Sequence, residues 1–63
     1  MYRIRAAELD LHDSFIAYGE TKQEVIAKMF QWIEVHHPGY VGEPTMTRLA
    51  EIDALLNLHI EEF

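Results

Sequence analysis

GETKQEVIAKMFQWIEVHHP, residues 19–38, carries a helix start and a helix stop around a broad apolar arc. Thr21 followed three residues later by Glu24 is a capping box, in which hydroxyl and carboxylate each satisfy a backbone donor left orphaned by the first turn. Pro38 ends the segment, because its ring disfavours helical geometry at His37 and it brings no N–H of its own. At about 100° per residue, Val25, Met29, Trp32, Ile33 and His36 fall on one stripe, widened on one flank by Ile26 and Phe30. Gln23, Glu24, Ala27, Lys28, Gln31 and Glu34 lie opposite, with Glu24 and Lys28 spaced as a supporting i,i+4 pair. His36, amid the apolar stripe, reads as a neutral core histidine, and Trp32 reads as buried. An arc this wide needs more than one neighbour to cover it, so the rest of the chain is expected to fold around this helix.

Working outward, MYRIRAA (residues 1–7) alternates Tyr2, Ile4 and Ala6 with Arg3, Arg5 and Ala7. That period of two predicts a half-buried strand with its arginines toward water. ELDLHD (8–13) is the connection, a turn looser than a two-residue hairpin, with Leu9 or Leu11 tucked beneath it. SFIAY (14–18) is rich in aromatic and branched residues and predicts a second strand antiparallel to the first. Either Phe15 and Ala17 or Ile16 and Tyr18 face inward. Beyond Pro38, residues 39–43 read as a loop, and Pro44 suits the first turn of a second helix. Over residues 45–63, Leu49, Ile52, Leu56, Ile60 and Phe63 fall within about 80° of one another. Leu55 and Leu58 stand off that stripe. The expected fold is therefore α+β and two-layered: a two-stranded antiparallel hairpin followed by two helices (ββαα), in a single domain covering residues 1–63.

Sixty-three residues lie near the lower limit for a chain that folds alone. With no cysteine, neither a disulfide nor a thiolate metal site staples the core, which leaves tight packing, self-association or a bound partner. No apolar run approaches the roughly 20 residues that span a bilayer, and no signal-peptide pattern opens the sequence, so a cytoplasmic protein without membrane contact is expected. Eleven acidic residues against five basic ones give a net charge of −6. Residues 1–7 are basic, 8–20 and 38–63 are acidic, and the central helix is neutral. Such a surface argues against direct binding to nucleic-acid phosphates, which demands a basic face.

With the elements placed, residues 4–37 resemble a small bacterial family of predicted metal-binding proteins, a domain of unknown function. The residues that carry the likeness are Glu8-Leu9 in the turn, Phe15 and Ala17 in the second strand, Gly19-Glu20-Thr21 and Glu24-Val25 at the helix opening, and a histidine near its end. The resemblance implies the fold. Members of that family typically carry cysteines where this chain has Ala6 and Asp13, and a histidine where it has Trp32; His37 keeps the family residue. These departures imply that this copy has lost most of the metal site. A weaker similarity is to the small antitoxins of the HicB type, which also run from a hairpin through a Gly-x-Thr segment into a helix.

Three readings of function follow. The first is a small acidic interaction module without enzymatic activity, binding a protein or a second copy through the outer side of the second helix (Leu55, Leu58) or the far face of the hairpin, with Tyr18 and Tyr40 as exposed contacts. The second is a divalent-metal protein, zinc being the candidate cofactor, with His12, Asp13 and His37 as altered ligands. The third is a phage-type acidic inhibitor of a nucleic-acid-handling complex. An enzyme is not expected: there is no glycine-rich phosphate loop, and His12, Asp13 and Ser14 are consecutive, whereas a relay needs groups converging from different directions.

Overall fold

The computed structural model describes all 63 residues. The α+β expectation holds, with a sheet of three antiparallel strands rather than two. Strand β1 (Tyr2–Arg5) lies between β2 (Ile16–Gly19) and β3 (Glu61–Glu62), in the order β2-β1-β3. Helix α1 (Lys22–His36) packs chiefly over β2 and also over β1. A one-turn helix α2 (Pro38–Val41) and helix α3 (Met46–Leu58) close its other flank.

Helix α1 starts as its capping residues dictate. The Thr21 hydroxyl accepts from the Glu24 amide at 3.1 Å, and the Glu24 carboxylate reaches back to the Glu20 amide at 3.4 Å. Val25, Met29 and Ile33 are completely buried, so the core-facing line is i, i+4, i+8. Trp32 and His36 belong to its flank: Trp32 is half-buried and His36 exposed, not the core residues that the apolar stripe suggested. Pro38 ends α1 but opens α2, because a proline at the first helical position gives up only an N–H that would be unpaired there. The segment predicted as a loop is therefore partly helical.

The hairpin turn is a 3₁₀ helix over Ala6–Leu9, closed by Asp10 at a left-handed φ of 60°. Aspartate tolerates that region better than most residues. The turn folds both Leu9 and Leu11 beneath it. Ile4 pairs with Ala17 across the ladder, and both are buried, so Phe15 and Ala17 take the inner side while Ile16 and Tyr18 take the outer.

The C-terminal segment departs most from expectation. Helix α3 stops at Leu58, so Ile60 and Phe63 do not extend its stripe. The chain returns along β1 instead, pairing Glu61 with Arg3 and Glu62 with Tyr2, and the Phe63 amide donates to the Met1 carbonyl at 3.1 Å. Glu61 accepts from Arg5 Nε at 2.7 Å and from Arg3 Nη2 at 3.3 Å. Partial desolvation pushes the Glu61 carboxyl up, but the Arg5 and Arg3 guanidiniums outweigh it and hold the group below its ordinary value. A carboxylate lowered in this way stabilises the fold above its unfolded-state pKa, and that contribution is lost as pH falls through the lowered value. On acidification the Phe63 amide is expected to lose hydrogen-exchange protection before the amides of α1. Glu61→Gln should show the same loss already at neutral pH.

Candidate functional site

The position of β2 at the edge of the sheet leaves half of its peptide groups without a strand to bond. The Ala6 amide donates to the Phe15 carbonyl at 3.0 Å, and the register then pairs Ile4 with Ala17 and Tyr2 with Gly19. Bonded pairs alternate along an antiparallel ladder. Phe15, Ala17 and Gly19 therefore turn their peptide groups toward β1, and Ile16 and Tyr18 turn theirs outward. One of the outward groups is occupied: Lys28 Nζ donates to the Tyr18 carbonyl at 2.9 Å. The Ile16 amide, the Ile16 carbonyl and the Tyr18 amide remain open. A free edge is usually blunted by charge, brevity or proline. The opposite edge, β3, is two glutamates long, whereas Phe15–Gly19 contains no charged residue.

Beside this edge, α1 and β2 enclose a groove of about 450 Å³. Its α1 wall is Lys28, Gln31, Trp32, Val35 and His36, and its β2 wall is Phe15–Tyr18. Phe15 and Trp32 stack with centroids 4.5 Å apart and planes 5° from parallel, and both rings line the groove. His36 and His37 lie against the same indole, at 5.3 and 5.0 Å. Val35 is 69% exposed at the rim. The Lys28 ammonium, and then the Glu20 amide, hold the Glu24 carboxyl below its usual range.

The residues singled out as contacts fall into two groups. Tyr18 is 44% exposed on the outer sheet face, edge-on to Phe63 at 5.9 Å, with the Arg3 guanidinium over that second ring at 4.9 Å. Leu58 is 78% exposed at the end of α3. Leu55 is half-buried against the core and Tyr40 is half-buried beside Arg48, so neither is the open contact that its position suggested. Arg48 donates from Nε to the Val41 carbonyl and from Nη2 to the Tyr40 carbonyl, capping α2. Burial raises the Tyr40 phenol above its ordinary value, against the opposing pull of Arg48.

Of the three candidate metal ligands, the structure brings two together. His37 Nε2 lies 3.9 Å from Asp13 Oδ2, beyond hydrogen-bond distance, and is itself buried without a partner. Asp13 Oδ1 accepts from the Phe15 amide at 3.1 Å, which fixes the entry to β2. His12 is exposed at a φ of 50°, and no group of three or more His, Asp or Glu side chains converges anywhere in the chain. Trp32, stacked on Phe15, stands beside His37.

Charge is distributed to the advantage of the groove. Arg3, Arg5, Lys28 and Arg48 each pair with a carboxylate. The surplus acids that face no lysine or arginine (Asp10, Asp13, Glu20, Glu34, Glu43, Asp53 and Glu62) are scattered over turns, both long helices and β3. None of them lines the groove beside β2. No helix is long and apolar enough to cross a membrane. Sequence reasoning reached Tyr18 but not the edge, because an open edge depends on strand order, which no local pattern records. Comparison with protein-family models, with curated proteins and with solved structures finds nothing that matches this chain.

Proposed function

We propose that this chain is a non-enzymatic interaction module that binds protein through the open edge of β2 and the groove between β2 and α1. The observation that carries the reading is the set of three outward peptide groups on Ile16 and Tyr18 beside exposed Val35 and half-buried Trp32. An extended segment added to such an edge takes main-chain hydrogen bonds for affinity and side-chain pockets for specificity. Tryptophan and tyrosine are favoured anchors at protein contacts. The net charge of −6 stays outside the groove, where it discourages non-specific association without opposing docking.

The experiment is capture with an immobilised chain, wild type against Ile16→Pro. Proline at this position removes an outward N–H that bonds nothing in the fold, a place where edge strands tolerate it. Wild type should retain specific protein that Ile16→Pro loses, with the two chains sharing the same far-ultraviolet dichroism. Identical capture by both would overturn the reading.

A further inference from the structure

We infer that the occupant of the β2 edge is β2 of a second copy, paired antiparallel about a two-fold axis at Ala17. This rests on the reading above that the edge is where the chain binds. The strand is complementary to itself. A dyad at Ala17 places Ile16 opposite Tyr18 of the other copy, and both residues turn their peptide groups outward. Each Ile16 amide then meets a Tyr18 carbonyl and each Tyr18 amide an Ile16 carbonyl. The Tyr18 carbonyl has two lone pairs, so it takes the Lys28 ammonium and the incoming amide together. Two three-stranded sheets become one of six strands, and the two β2 edges disappear.

The helices fit the same axis. Because α1 lies over both β2 and β1, the dyad sets α1 alongside α1 of the second copy, running in the opposite direction. Glu24, Lys28, Gln31 and Val35 follow one another at spacings of four, three and four, a single stripe along the helix. Turned end for end, that stripe sets Lys28 beside Gln31 of the other copy and brings the Glu24 end to the Val35–His36 end. An acidic turn thus meets an imidazole rather than another carboxylate. The surplus carboxylates that would repel a second copy lie elsewhere, since the charged or titratable groups lining this groove are Lys28, His36 and Tyr18. Ala17, on the axis, is small and faces inward, so nothing on the strand holds the copies apart.

The test uses the absence of native cysteine. Gln31→Cys puts one thiol near the axis, and Ala50→Cys puts one on an exposed part of α3 away from it. Under mild oxidation Gln31→Cys should form a disulfide dimer roughly a hundredfold faster than Ala50→Cys, since pairing raises the effective thiol concentration from micromolar toward millimolar. Adding Ile16→Pro should abolish the acceleration. Adding Val35→Glu, on an exposed helix position that folding does not use, should do the same if Ile16→Pro unfolds the chain. Equal slow rates for the two cysteines, with wild type sedimenting at the monomer mass of 7.4 kDa, would overturn self-pairing. Capture of another protein that remains sensitive to Ile16→Pro would then show the edge reading intact and only its occupant wrong. Loss of both results would remove both.

Discussion

Ile33→Ala should leave the chain largely unfolded at physiological temperature, whereas Val35→Ala, two residues along the same helix, should melt like wild type. Ile33 is completely buried at the end of the line formed with Val25 and Met29, where α1 meets the rest of the core. Truncating a buried isoleucine removes its transfer free energy and leaves a cavity, together about 2–5 kcal/mol. A 63-residue chain has about 3–9 kcal/mol of stability in all. The loss is therefore comparable with the whole, and the melting temperature should fall by more than about 10 °C where a signal survives. Val35 is 69% exposed, so its truncation should stay within about 0.5 kcal/mol. Thermal melts followed by far-ultraviolet dichroism compare the two directly.

Gly19→Ala should be the second most damaging small substitution, and the cause is close approach rather than backbone angle. A Cβ at Gly19 would stand 2.8 Å from the Val25 amide nitrogen and 3.2 Å from both Val25 Cα and Glu24 Cβ. Those atoms cannot yield cheaply. They belong to the first turn of α1, held by the Thr21 cap and by a fully buried Val25 side chain. Either the helix lifts from β2 or the cap breaks, at a cost of about 1–3 kcal/mol for an overpacked site. Gly39→Ala is the control, since a Cβ there meets nothing within 4 Å. It should be neutral or slightly stabilising, because alanine narrows the unfolded ensemble. Denaturant titrations of the two variants measure the difference.

Such contrasts within one helix and between two glycines show what local sequence records. The capping box, the stop at Pro38 and the line through Val25, Met29 and Ile33 were legible because each is a short-range rule satisfied within a few residues. The inward side of β1 was legible for the same reason. What escaped was set by distant parts of the chain. Glu61 and Glu62 have no strand propensity of their own, and Ile60 and Phe63 fall at helical spacing after Leu56. Strand β3 exists because residues more than fifty positions away in sequence hold it: Tyr2 and Arg3 supply the ladder, and Arg3 and Arg5 supply two guanidiniums for Glu61. Trp32 and His36 were misplaced because the apolar stripe of α1 is wider than its buried line. The surplus width faces the β2 edge, where Phe15 stacks on the indole and His36 stays in solvent. The candidate site was thus half visible, as apolar residues that the core did not need. The other half, three unbonded peptide groups, follows from strand order alone.

That edge is the centre of the account, and amide hydrogen exchange at Ile16 and Tyr18 tests it most directly. These amides point away from β1, so in a dilute isolated chain they should exchange far faster than those of Ala17 and Gly19, which the ladder with β1 holds. As the chain is concentrated, or its captured protein is added, Ile16 and Tyr18 should become protected together while Leu58 and the rest of the α3 end keep their rates. If both amides still exchange at the dilute rate in every bound or concentrated state, β2 is not where this protein binds.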